Sequence, residues 1–200
     1  MSEFLGFVQL GFRHIADVNA ADHILFLLAL AAIYRLRDWR SALWVVTSFT
    51  IGHSLTLALA VTNLVTMPTA LIEFLIPITI VATCVENILV RDRSVTLWRG
   101  RYRPVFAGVF GLVHGAGFAN YLKSLFVDQI AVPLFGFNVG IEVGQLLVLM
   151  VAAGMLAVVD FTMASLRRPG WWAPLRLRIV AVSAVIAIVA AHWAFERRPW

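Results

Sequence analysis

Long apolar stretches alternate with short polar ones along the chain. Six apolar runs lie at residues 21–36, 42–64, 68–90, 104–126, 133–161 and 179–195. Each approaches the roughly 20 residues a helix needs to cross a hydrocarbon core. They are apolar all round rather than along one stripe, which predicts helices bordered by lipid and by each other. The fifth is long enough to tilt or kink. Three begin at or beside Pro68, Pro104 and Pro133, a residue tolerated in a helix's first turn. The N-terminal stretch differs. There Phe4, Val8, Phe12 and Ile15 recur at helical spacing, which predicts a short amphipathic helix at the membrane interface. Glu3 stands where a cleavable leader carries basic residues, and no small-residue cleavage pattern follows it. The expected fold is all-α, a polytopic transmembrane helix bundle. Residues 1–200 form a single transmembrane domain, with an interfacial segment at 1–19 and six spanning helices at 20–196.

Composition agrees. The 200 residues are 61% hydrophobic and 14% charged, with mean hydropathy +0.87, more apolar surface than one soluble core hides. The lone Cys84 excludes an internal disulfide framework and a multi-thiolate metal cage. The net charge of +5 rests on arginines lying between the apolar runs, where they set topology rather than bind nucleic acid. The loops after runs one, three and five hold twelve basic residues against four on the opposite side. Those loops should face the cytoplasm. Both termini then face outward, to the periplasm for a bacterial inner membrane.

An ionisable group inside lipid is a functional hypothesis by default. Placed by depth, most of them share one half of the membrane. Asp22 and His23 lie near the outer end of run one, and His53 and His114 near the middle of runs two and four. Glu73 lies in the outer third of run three, and Asn138 and Glu142 in the outer half of run five. At a rise of about 1.5 Å per residue these groups fall within a slab roughly 10–15 Å deep. His14 and Asp17 sit just above it, and Glu86 is the exception, in the inner third. Asn138, Glu142 and Gln145 share one helix face. Glycines beside His53 and His114 allow those two helices to approach closely.

Imidazoles and carboxylates converging in low dielectric suit a divalent transition-metal ion, with Ni, Co and Zn all compatible. The candidate ligands are His23, His53 and His114, with Asp22 and Glu142 as ligands or as carboxylates orienting a histidine, and His14 as a lid ligand. Asn138, Glu73, Glu86, Ser54 and Asp17 are candidates for supporting or pathway roles. Duller roles fit His192, near the outer interface beside Trp193, the packing residue Cys84, and Asp160 among loop arginines.

These motifs together resemble the HupE/UreJ family of bacterial membrane proteins. The matching residues are "ADHILFLLAL" at 21–30, "TSFTIGHSLTLALA" at 47–60, "IEFLIPITIVATCVEN" at 72–87, "FGLVHGAGFA" at 110–119 and "FNVGIEVGQL" at 137–146. They fall on five of the six predicted spans. The resemblance implies a hydrogenase or urease accessory role with nickel or cobalt uptake. The Asp-His pair is also similar to that of nickel/cobalt permeases, in which another histidine lies a few residues upstream. That position corresponds to His14, but the interval to Asp22 is longer here, and Ala21 precedes the aspartate.

The first expectation is therefore an inner-membrane metal uptake protein. The ion meets His14 or Asp17, binds at Asp22, His23, His53, His114 and Glu142, and leaves past Glu86. Its partners are the lipid bilayer, the metal ion, and another membrane protein or a second copy of the chain. The alternatives are an intramembrane zinc-type hydrolase acting on a lipid-like substrate, with Ser54 or Glu142 handling protons, and a non-catalytic subunit of a larger membrane complex.

Overall fold

The computed structural model describes residues 3–18, 21–90, 102–125, 130–165 and 174–200. Arg91, Arg93, Arg99, Arg101, Arg167 and Arg168, half of the basic residues assigned to the cytoplasmic loops, lie outside the described residues. Among the described residues the regular elements are helices: α1 (Glu3–Ala16), α2 (Asp22–Ala31), a 3-10 turn (Leu36–Asp38), α3 (Trp39–Val61), α4 (Thr69–Leu89), α5 (Tyr102–Leu125), α6 (Ala131–Ser165) and α7 (Pro174–Glu196). Four are long and apolar enough to cross a membrane: α3, α4, α6 over Ala131–Met163 and α7 over Leu175–Glu196. The chain is a membrane protein. Helix α5 has the length for a span, but Arg103, His114 and several glycines dilute its apolarity.

The first predicted run is shorter than its apolarity suggests. Helix α2 has ten residues, or about 15 Å, half the thickness of a hydrocarbon core. Past Ala31 the chain turns. The Arg178 guanidinium donates to the Ala32 carbonyl at 2.9 Å and the Tyr34 carbonyl at 2.8 Å. These bonds satisfy acceptors that a longer helix would have paired internally.

Helix α1 packs lengthwise on α6. A methyl group added at Gly11 would lie 2.0 Å from the Phe137 carbonyl oxygen, and one added at Gly140 would lie 2.0 Å from that of Val8. The two backbones therefore touch. Along the pair, Phe4 meets Gly136, Val8 meets Gly140 and Ile15 meets Gly144, so the helices run parallel. Helix α2 continues down the same partner, with Leu28 and Ala31 packing near Leu149, Ala152 and Leu156. Helices α1 and α2 thus follow one another along α6 in one direction, with a break between them near the level of Gly144.

Helices α3 and α5 form a second parallel pair with a glycine seam. A methyl group at Gly111 would come within 2.2 Å of the Phe49 carbonyl oxygen, and one at Gly115 within 2.2 Å of that of His53. Close approach of these two histidine-bearing helices is what their glycines predict. Helix α4 packs on α7 through Asn87 on Ser183, and nearer its start Phe74 meets Trp200 in the segment that follows α7. The main core joins α2 to α5 and α7 through Phe26, Phe49, Ile80, Cys84, Ala107 and Ile186.

Candidate metal site

Four imidazoles converge where α1 ends and α2 begins. His14 lies in the last turn of α1 and His23 in the first turn of α2, while His53 and His114 come from the middles of α3 and α5. One ligand atom each from His14, His23 and His53 lies within 4.8 Å of the other two. That is close to the spacing of ligands on a single ion, whose bonds to nitrogen are about 2.1 Å. The ring centroids of His14 and His23 stand 4.6 Å apart, and His23 lies 5.9 Å from His53. His114 stands beside this group, 5.2 Å from His23.

His23, His53 and His114 are buried and His14 is half-buried, all with nitrogens unused. Nε2 of His14, Nε2 of His23, both nitrogens of His53 and Nδ1 of His114 are buried with no hydrogen-bond partner. Leaving a buried polar atom unpaired costs about 1–3 kcal/mol. Several such atoms meeting in one place make an arrangement that a divalent ion would relieve, so the donor set fits a transition metal.

Thr79 contacts the ring of His114. A threonine hydroxyl has one proton to donate, and Thr79 Oγ1 donates it to the Ile76 carbonyl at 2.7 Å. The same oxygen lies 3.0 Å from His114 Nε2. With its proton on that carbonyl the oxygen accepts from the ring, which puts the ring proton on Nε2. The lone pair of His114 is then on Nδ1, the unpartnered nitrogen. This is the usual way that a bond to one ring nitrogen selects the ligand atom at the other.

Aromatic rings wall the site. Phe118 lies 4.0 Å from the His14 ring and stacks on Phe137. Below, Phe49 and Phe26 each stand 5.2 Å from His114, with 4.8 Å between their own centroids. On the other side a cavity of about 350 Å³ opens, lined among others by His14, Asp22, His23, Glu73, His114 and Arg197. Asp22 Oδ2 pairs with Arg197 at 3.0 Å, while its Oδ1 is buried without a partner.

The remaining candidates are not part of the three-histidine group. Glu142 accepts from Thr47 at 3.0 Å, Asn138 from Ser54 at 2.8 Å and Gln145 from Thr50 at 2.8 Å. The polar face of α6 is thus laid against a polar stripe of α3, and Glu142 is outside the three-histidine group. Asp17 is exposed on the link between α1 and α2. Glu73 is exposed and lines the cavity. His192 is exposed beside Glu196.

Glu86 belongs to a different network. Its carboxylate pairs with buried Arg103 at 2.8 Å and accepts from the Tyr102 hydroxyl. Arg103 also donates to Asn87 Oδ1, and Asn87 in turn donates to the Ala29 carbonyl and Ser183. Arg176 donates to the carbonyls of Asn87 and Ile88, and Asp160 pairs with Arg178. Between this network and the histidines lie Phe26, Leu30, Phe49, Ile80 and Cys84, all buried.

Sequence reasoning did not single out Thr79, Arg103 or Arg197 as site residues. Thr79 carries no signal beyond following Pro77. Arg103 and Arg197 counted only as topology charges, although Trp193 and Arg197 are spaced i, i+4 and form a cation–π contact at 5.3 Å.

A family model described as "HupE / UreJ protein" matches residues 1–197. No curated protein and no solved structure matches the chain.

Proposed function

The chain belongs to the HupE/UreJ family, and on that premise we propose that it takes up a divalent transition-metal ion of the nickel–cobalt class. The observation that carries this reading is the group of His14, His23 and His53, with unpartnered nitrogens beside a cavity. Three neutral imidazoles bind such ions without thiolates. Asp22 supplies negative charge that offsets the ion's, and Glu73 lines the same cavity.

The broken pair α1–α2 supports transport. Together its two helices hold 24 residues, or about 36 Å of rise, enough for one interrupted span. Counted so, the bundle has six spans: α1–α2, α3, α4, α5, α6 and α7. Transport sites are commonly built at such interruptions, where half-helix ends face the ion. The C-terminal carbonyls of α1 carry partial negative charge and favour a cation. Asp22 sits at the N-terminus of α2, where the helix favours an acid.

The arginine distribution supports an inner-membrane orientation with the cavity outside. The ion enters past Glu73 and Arg197 and loses its water among the imidazoles. His114 takes part through Nδ1, and Phe26 and Phe49 close the way inward. Glu86, held by Arg103, is an acid on the inner side of that closure.

The aromatic closure directly below the histidines also suits a second reading, a hydrolase whose metal activates water. Measuring bound metal and ⁶³Ni uptake into proteoliposomes separates the two. Uptake by the wild type that is lost in His53→Ala is the expected result. Stoichiometric binding with no uptake would sink the transport reading. Absence of bound metal in every preparation would sink both.

A further inference from the structure

The histidine site has a positive charge of its own at its mouth. Arg197 Nη1 lies 3.0 Å from Asp22 Oδ2, and both residues line the cavity that holds His14, His23 and His114. The position of this arginine is set from two directions. Its backbone N–H bonds the Trp193 carbonyl at 2.9 Å, and its guanidinium lies 5.3 Å from the Trp193 ring. The side chain is one-third exposed, whereas that of Asp22 is 15% exposed. The pair therefore spans the boundary between solvent and site. The other carboxylate oxygen, Oδ1, is buried and unpaired. Asp22 thus gives one oxygen to a cation already present and keeps the second without a partner, directly beside His23 in the chain.

We infer that Arg197 is a tethered counter-ion that occupies the Asp22 carboxylate and is displaced when a divalent cation binds. This rests on the ion-uptake reading. A buried acid without any partner is costly, so the guanidinium stabilises the site while no ion is there. A dication needs that carboxylate more, because three neutral imidazoles cannot offset its charge. A monovalent ion gains too little to break the pair, so the arginine also selects for charge. Glu73, the other acid lining the cavity, receives the displaced guanidinium. When the ion leaves, Arg197 returns to Asp22, and competition from a tethered cation keeps the site from holding its cargo too tightly.

The sign of the effect tests the inference. Arg197→Gln should bind Ni²⁺ about tenfold more tightly than the wild type in calorimetric titration of the detergent-purified full chain, within the usual range of coupling between sites. Its ⁶³Ni turnover in proteoliposomes should fall, because release is no longer assisted. Arg197→Lys should lie near the wild type in affinity. In Asp22→Asn the same Arg197→Gln change should no longer raise affinity, since the two effects act through one pair. Unchanged or weaker Ni²⁺ binding by Arg197→Gln, with the thermal midpoint preserved, would overturn the inference and leave the uptake reading standing. If Arg197→Gln fails to fold, Arg197→Met and the Asp22→Asn background decide by the same criterion. Wild-type protein that binds no Ni²⁺ or Co²⁺ would overturn the uptake reading itself, and the inference with it.

Discussion

The imidazoles of His14 and His23 stand 4.6 Å apart although one closes a helix and the other opens the next. A continuous helix would separate residues nine positions apart by about 13 Å along its axis. The break between α1 and α2 brings them together. It also explains how an interval longer than that of the similar permease pattern still brings an upstream histidine back to the Asp-His pair.

His14→Ala should therefore weaken Ni²⁺ binding as much as His23→Ala, by about 100-fold or more, since even supporting residues at metal sites cost 10–100-fold. Titration of the two variants side by side checks this. A tenfold smaller loss for His14→Ala would make His14 a lid rather than a ligand.

His53 has no exposed surface and no partner at either ring nitrogen. Its cost is borne by the metal-free protein. His53→Leu, of similar bulk and without polar atoms, should stabilise the metal-free chain by about 1–2 kcal/mol. It should also abolish stabilisation by added Ni²⁺. Thermal or denaturant unfolding with and without the ion reads both effects. A destabilised metal-free variant would mean that the imidazole is satisfied.

Glu86 separates structure from transport. Replacing it with glutamine removes the anion facing Arg103, which is 4% exposed. Breaking a buried pair from one side costs about 3–5 kcal/mol. Glu86→Gln should therefore lower stability while leaving Ni²⁺ affinity unchanged, because apolar core lies between it and the histidines. A selective loss of uptake at unchanged stability would instead make Glu86 part of the ion's route.

The glycine seams give a graded test. Gly140→Ala must push a methyl into the Val8 carbonyl oxygen, 2.0 Å away, whereas Gly154→Ala meets nothing within 4 Å. Overpacking costs about 1–3 kcal/mol where side chains can shift, and backbone yields less readily. Gly140→Ala should reduce both folded yield and metal binding by displacing α1 and His14, while Gly154→Ala should match the wild type. Size-exclusion profiles and titration compare them.

Much of this was legible in the chain. Continuous apolarity marked the positions of α3, α4, α6 and α7, because a helix in lipid announces itself by length and composition alone, and a more diluted run marked α5. The glycines beside His53 and His114 announced the close α3–α5 contact. The end of α2 at Ala31 was not legible, since apolar residues continue to Tyr34 and the carbonyls freed beyond the stop are met by Arg178, nearly 150 residues later. The amphipathic pattern of α1 was clear. Its burial against α6 was not, because Gly136, Gly140 and Gly144 reveal a close approach without naming the partner. The shared face of Asn138, Glu142 and Gln145 was correctly periodic, yet periodicity does not say what a face meets. In the structure it meets Thr47, Thr50 and Ser54.

Thr79 offers the sharpest test of the site's chemistry. With its hydroxyl proton on the Ile76 carbonyl, Thr79 accepts from His114 Nε2 and leaves Nδ1 as the ligand atom, an assignment that substitution tests. Thr79→Val keeps the shape and removes the acceptor. The proton is then free to move to Nδ1, and the population able to coordinate through that atom falls. Ni²⁺ affinity should drop by about tenfold, at the low end of the effect of residues that orient a metal-binding histidine. Thr79→Ser restores the oxygen and should restore affinity. Nitrogen NMR of the metal-free protein reads the tautomer directly: wild type and Thr79→Ser should show Nε2 protonated and Thr79→Val a mixture. If all three show the same tautomer and bind Ni²⁺ equally, His114 is a wall of the site and not one of its ligands.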